Sequence, residues 1–567
     1  MTLPELNPIK TSREHIRAFR GYQHVDTPAD GAFYECENLT AVYYPLFGVR
    51  APRVKVRALP QAGGIFAKEK LAWVSGKKLF YDGAEICDVS DAKKQFVSMG
   101  AWLLVWPDKI AYSTADGTVK QLEAEYTSAE DVTFTLCSVD GTPYENYYTG
   151  TEAPDSTKYT YWLDTSSAPH VLRVYSTATN LWNSVPTTYV RIGCAGIGTE
   201  FAAYDAVEIS GCKDEQFNTT MIVWEQGDDY IVVTGIIDEA FTQTPEQGAV
   251  AVARRAPDME FLTEHENRVW GCSSEKNEIY ACKLGDPTNW YCYQGIASDS
   301  YAATVGTDGP FTGAATHLGY VLFFKENCIH KVFGTKPSNY QITKVDCRGV
   351  QKGSEKSLCV VNETLFYKSP SDVCSYDGSL PAGVSAALGT AQYSSAAAGS
   401  AGPVYYISMK DAAGEYSLFT YDTEKGIWCR EDGAHASGFA LCGGVLHMLD
   451  AQGVLWGLNG GAGEPEGKVP FKAVSGPLGI ADADRKYYSR LQLRVAVPAA
   501  AHLRVAVEYD SCGNFEELAR IGPTGLQSVC IPVLLRRCDH IRLKLWGEGG
   551  VRLYSIAKIM EQGSEVR

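Results

Sequence analysis

The side chains that carry hydrolytic, phosphoryl-transfer and metal chemistry are all present in this chain, but none stands at the spacing those chemistries use. The pattern G-x-S-x-G, which holds a serine oxygen at a strained turn, does not occur. A phosphate-cradling loop fails as well: Gly76-Lys77 is followed by Lys78 rather than Ser or Thr, and Leu71 occupies the position of the first glycine. Gly193, Gly196 and Gly198 are not spaced as a dinucleotide fingerprint, and no helical pattern follows them to offer its N-terminus to a phosphate. His265-Glu266 runs into Asn267-Arg268-Val269, so the two-histidine zinc motif is missing. The nearest pair of cysteines, Cys530 and Cys538, lies eight residues apart, too far for a zinc knuckle. Asp482 and Asp484 could offer oxygens to Ca2+, but without the rest of a ligand set they predict a solvated turn. Asp228 and Asp229, just before an apolar strand, predict the same. A carboxylate pair for glycoside hydrolysis has a separation that exists only in the folded chain, and no pair stands out. The expectation is a chain that is not an enzyme, with no catalytic, cofactor-binding or metal-binding residue and no cofactor.

The elements that would have to position such residues are strands. Helical periodicity is scarce: Ser12 to Arg20 predicts one short helix and Ser354 to Ser357 a turn. Elsewhere short apolar runs alternate with Gly, Asp and Asn. Asp-Gly pairs at residues 82–83, 116–117, 140–141, 308–309 and 377–378 suit the positive φ of tight hairpins. Seven segments share one plan, an apolar strand, a polar turn and an aromatic-bearing strand. They begin at Leu71, Ala101, Asn267, Gly319, Glu363, Pro403 and Gly443, and the last five starts fall about 40–50 residues apart, the spacing of propeller blades. An irregular β-sandwich is the alternative. The gap in the repeat, roughly Ser128 to Val250, is itself strand-rich and reads as an inserted β domain. Gly460 to Glu466 marks a linker. Beyond it Leu491, Leu493, Val495 and Val497 alternate with Gln492, Arg494 and Ala496, and Leu503, Val505, Val507 and Tyr509 alternate with Arg504, Ala506 and Glu508. One buried and one wet face per strand predicts a β-sandwich. The fold class expected is therefore all-β, a β-propeller with an inserted β domain and a C-terminal β-sandwich. Its domains are 1–127 (N-terminal arm and first blades), 128–250 (insertion), 251–465 (remaining blades) and 466–567 (sandwich).

Bulk composition bounds the partners. The chain of 567 residues exceeds one hydrophobic core. Its charge, 51 − 67 = −16, repels phosphate backbones and argues against gripping nucleic acid. The first residues lack the apolar core of a signal peptide, and the apolar runs Ala101 to Trp106 and Tyr320 to Phe324 are too short to span a bilayer, so no membrane insertion is expected. Seventeen scattered cysteines predict reduced thiols in a protein assembled in a cytoplasm.

Three stretches are distinctive as a set: GAFYECENLTAVYYPLFGVRAPR (31–53), ENRVWGCSSEKNEIYACKLGDPTNW (266–290), and RRCDHIRLKLWG with IAKIMEQGS (536–547 and 556–564). Together they resemble structural proteins of phages and prophages of Gram-positive hosts, and a propeller with an inserted β domain is similar to the tail nozzle, or packaged-DNA stabilisation, proteins of short-tailed phages. The resemblance carries no catalytic residues. It implies a virion tail location and a homo-oligomeric ring, a hexamer among the counts compatible with it. The ring would contact other tail or portal–adaptor proteins and let DNA pass without specific binding. A receptor- or glycan-binding tail-tip protein is the alternative, and a cell-wall hydrolase a further one.

Overall fold

A computed structural model of the chain describes residues 10–481, 485–534 and 536–562; the turn expected at Asp482 and Asp484 lies outside them. The described residues are built from β-strands, and their helical elements are six 3-10 turns of three residues each. The fold is all-β, and its repeating element is the propeller blade. Six four-stranded antiparallel meanders follow one another in the chain. Blade A runs from Ala62 to Asp88, B from Gln95 to Gln121, C from Phe261 to Thr304, D from Gly313 to Asp346, E from Cys359 to Gly383 and F from Tyr393 to Arg430. A seventh sheet, G, joins Ala436–Cys442, Val445–Asp450 and Val454–Gly457 to a strand from the start of the chain, Val54–Ala58. Val54 stands opposite Gly457 and Ala58 opposite Val454. Such sharing of one blade between distant parts of a chain is how a propeller avoids free sheet edges. Each of the seven repeated sequence segments supplies strands of one of these sheets.

By contacts the chain forms two compact units. One comprises residues up to Lys94, Phe311–Lys331 and residues from Thr343 onward; the other comprises Gln95–Pro310 and Val332–Ile342.

In the first unit Trp73 of blade A stacks on Phe80 at 5.6 Å, and both pack near Leu449 and Leu455 of sheet G. The residues beyond Pro470 form a two-sheet sandwich, and both sheets are completed from the N-terminal end of the chain. Lys10–Ile16 pairs with Arg552–Gln562, and Phe33–Glu37 pairs with Pro470–Ser475. The helix expected over Ser12 to Arg20 is therefore corrected: residues up to Ile16 are strand. An isolated segment of this composition favours a helix weakly, and a seven-residue ladder with Arg552–Gln562 overrides that preference. The alternation read at Leu491–Val497 is observed, with Leu491, Leu493, Val495 and Val497 all buried. The strand His502–Tyr509 departs from it, because Ala506 and Glu508 are buried too. Glu508 is accommodated by Arg542 at 3.3 Å and by the backbone N–H of Gly513 at 2.5 Å.

A buried ion network ties the N-terminal segment to the end of blade F. Arg53 donates to Glu431 at 2.7 Å and meets Asp432 at 2.8 Å; Arg50 pairs with Glu466 and lies 3.6 Å from Glu431. Burial works against the charge of Arg53, yet Glu431 and Asp432 outweigh it and hold the guanidinium above its ordinary pKa.

In the second unit, blades B and C share a core of Val97, Leu104, Trp106, Val269, Tyr280 and Trp290. The segment between them leaves and returns on paired strands, Ala124–Thr127 and Ala251–Arg254. It contains three sheets around Phe134, Leu136, Ile192, Val207, Phe217, Val233 and Val252. Its base is pinned by polar contacts: Arg254 pairs with Asp205 at 2.6 Å, and the Asn289 side chain accepts from the Ala206 N–H at 2.9 Å.

Candidate functional site

A concavity lies in this inserted domain. A cavity of about 680 Å³ is lined by Ala168–His170, Lys213–Gln216, Ile236–Glu239 and Phe241. Three separate loops meet there. The first follows the strand Tyr161–Asp164, the second contains the 3-10 turn Glu215–Phe217, and the third follows the strand Tyr230–Thr234. The loops are fixed by their own side chains. Gln216 donates to Asp214 at 2.6 Å and to the Ile236 carbonyl at 3.0 Å, and its carbonyl oxygen accepts from the Ile236 N–H at 3.3 Å. His170 Nδ1 lies 2.6 Å from Asp238 Oδ1. Tyr147 and Thr149 donate hydroxyl hydrogen bonds to the Asp238 carbonyl at 3.4 and 3.2 Å. Phe217 is fully buried beneath, against Phe134, which in turn stacks on Phe241 at 4.5 Å.

The electrostatics of the cavity are one-sided. Asp214, Glu215, Asp238 and Glu239 face a single lysine, Lys213, and His170. Burial raises the Tyr147 hydroxyl pKa, and Glu239 and Asp238 push it further, so it stays a donor. The arrangement offers carboxylate and amide acceptors and the Phe241 side chain around an open space. Chemically it can hold an uncharged polyhydroxy ligand or a cation, and it repels phosphate and sulfate.

A second cleft of about 390 Å³, near Lys109, Glu208 and Tyr291, differs in that its Lys109 is paired. Lys109 meets Glu123 at 2.9 Å, Asp258 at 2.7 Å and the Ala256 carbonyl at 2.8 Å.

The residues weighed in the sequence take structural places. Asp228 and Asp229 form the two-residue turn between Glu225–Gly227 and Tyr230–Thr234, and Asp229 accepts from the Gly196 N–H at 2.8 Å. Gly198 packs so closely on the Gly227 carbonyl that a Cβ there would lie 1.9 Å from it, which explains this glycine without any phosphate. Gly76-Lys77 and Glu266-Asn267 are hairpin turns with positive φ at Gly76, Glu266 and Asn267. The large tryptophans, Trp106, Trp270, Trp290 and Trp428, are core. Most of the cysteines are buried, with Cys512 and Cys530 exposed. Sequence reasoning missed His170 and Asp238, which are 68 residues apart and meet only through the fold.

No family model matches the chain, and no curated protein matches it. Among solved structures it is similar to an exo-β-1,3-galactanase of Phanerochaete chrysosporium with galactose, at 9% identity over 51% of this chain and 92% of that one, TM-score 0.21. A bifunctional GH43-CE protein of Bacteroides eggerthii matches at 9% identity over 55% of this chain and 62% of that one, TM-score 0.21. The extracellular domain of a putative one-component system of B. thetaiotaomicron matches at 7% identity over 91% and 95%, TM-score 0.20. The expectation of a chain without enzymatic activity is corrected here, because the structures it is similar to include glycoside hydrolases. The physical reason is that carboxylate pairs and triads need no fixed linear spacing, so a missing motif leaves catalysis open.

Proposed function

We propose that the chain is a carbohydrate-recognition subunit of a bacteriophage tail, with the cavity of the inserted domain as its sugar site. The observation that carries this reading is the cavity of about 680 Å³ with acceptors at Asp214, Gln216, Asp238 and Glu239 beside the Phe241 ring. Planar carboxylates and amides accept paired hydrogen bonds from neighbouring sugar hydroxyls, while a ring covers the apolar C–H face. The virion setting rests on the resemblance of residues 31–53, 266–290, 536–547 and 556–564 to phage structural proteins. A second reading, a ring-forming nozzle that DNA slides through, draws its support from the −16 charge.

The test is a glycan array of bacterial cell-wall polysaccharides, followed by titration calorimetry on any hit. Binding of an uncharged or amino sugar that falls about tenfold in Asp238→Ala, roughly the loss of one hydrogen bond to a charged group, supports the reading. An array without hits, or a hit indifferent to Asp238→Ala and Glu239→Gln, overturns it. Rings with a central lumen in electron micrographs would move the weight to the nozzle.

A further inference from the structure

The C-terminal sandwich contains an arrangement that no linear motif announces. The strand His502–Tyr509 pairs antiparallel with Ile541–Glu548, Tyr509 opposite Ile541. That register sets the turn after Tyr509 against the two residues before Ile541. The turn is closed by the Cys512 N–H on the Tyr509 carbonyl at 3.2 Å, and its two central residues, Asp510 and Ser511, have φ of 52° and 49°. Positive φ at both is the geometry of a type I′ turn, which Asn-Gly adopts readily and which strains a serine. The Asp510 carboxylate accepts from the Asp539 N–H at 2.7 Å and from the His540 N–H at 3.4 Å, and the Asp510 N–H donates to the His540 carbonyl at 3.1 Å. The two segments are thereby clamped in fixed relation.

Within that clamp Ser511 Oγ lies 2.8 Å from His540 Nε2, and His540 Nδ1 lies 2.8 Å from Asp539 Oδ2. Asp539 can only accept, so Nδ1 carries the proton and Nε2 presents its lone pair to the serine hydroxyl. The hydrogen bond from His540 holds the Asp539 carboxyl below its ordinary pKa, which keeps it ionised as the acceptor. Ser511 is solvent-exposed, whereas the His540 ring is 15% exposed, so the oxygen is reachable and its partner is sheltered. The left-handed backbone at Asp510 and Ser511 is what a two-residue type I′ turn requires, and it sets the Ser511 hydroxyl at the tip of the hairpin.

We infer that Ser511, His540 and Asp539 form a hydrolytic site for small uncharged carboxylic esters. Ser511 Oγ attacks the ester carbonyl carbon while His540 Nε2 takes the hydroxyl proton. The carbonyl π pair moves to oxygen, then returns as the C–O bond to the alcohol breaks. The departing alkoxide receives the proton from Nε2. Water, deprotonated by the same nitrogen, attacks the acyl carbon; the C–O bond to Ser511 then breaks, Oγ takes the proton back from Nε2, and the carboxylic acid and free Ser511 are released. Ester plus water gives acid plus alcohol, with no other reactant. Ser511 and His540 are the catalytic pair; Asp539 is a positioning residue. Asp510 and Asp539 are the carboxylates beside the turn, so anionic acyl groups are disfavoured.

The experiment uses the full chain, a fluorophosphonate probe and p-nitrophenyl acetate. Wild type should be labelled at Ser511, located by peptide mass, and should hydrolyse the ester with an acylation burst. Ser511→Ala and His540→Gln should abolish labelling and lower turnover about 100-fold or more. Asp539→Asn should lower kcat with KM unchanged. Ser511→Gly should raise the melting temperature by relieving the positive φ while also abolishing labelling, which separates chemistry from folding. Unlabelled wild type, a label on another residue, or a Ser511→Ala protein that keeps its turnover overturns the inference.

Discussion

Two regions of this molecule treat charge in opposite ways. At the end of blade F, Arg50 and Arg53 are enclosed with Glu431, Asp432 and Glu466, and each charge meets an opposite one within 4 Å. In the inserted domain, Asp214, Glu215, Asp238 and Glu239 line an open cavity, with the His170 ring 2.6 Å from Asp238. Buried charges must be matched because desolvation costs several kcal/mol per ion, so the enclosed group joins two parts of the chain and can do little else. Solvated carboxylates keep their water and their lone pairs, so the open group can exchange that water for a ligand. Charge enclosed gives attachment, and charge left open stays available to a ligand.

Glu431 holds the enclosed network most directly. Glu431→Gln leaves Arg53 buried with a weaker partner and should destabilise the first unit by ~3–5 kcal/mol in urea unfolding. A loss below about 1 kcal/mol would mean that the network is not a join. A smaller effect is expected at His330, a buried ring in blade D beside Lys325 and Lys344. Burial first, and then those two cations, push its pKa from 6.5 down to about 4. Because the folded value is depressed, the unfolded chain binds the extra proton between these pH values. Stability is thus fully present above about pH 6.5 and falls as pH drops towards 4. The fall should reach up to about 3 kcal/mol, and His330→Leu should flatten that part of the melting profile. The smallest effect on stability belongs to the open cavity. Asp238→Asn, at a half-exposed carboxylate, should move the unfolding midpoint by no more than about 0.5 kcal/mol while weakening ligand binding. A large stability loss there would show that the cavity carboxylates are structural after all.

How much of this was legible follows the same division. The blades could be read because a half-buried strand writes its burial into alternate residues and an Asp-Gly turn writes its φ into the sequence, as at Asp82-Gly83 between Lys78–Tyr81 and Ala84–Asp88. The N-terminal strand Lys10–Ile16 could not be read, because its fate depends on a partner more than 500 residues away. The burial of Glu508 was hidden for the same reason: only Arg542, on the neighbouring strand, makes it tolerable.

The all-β class, the blade repeat and the acidic balance were legible in the residues alone, because each is a local pattern or a sum over residues. Folding in three dimensions settled that His170 faces Asp238, that Phe33–Glu37 completes a sheet of the sandwich and Val54–Ala58 completes sheet G, and that Ser511 meets His540. Contacts of that kind are set by strand register, and register is an agreement between distant segments that neither segment records alone.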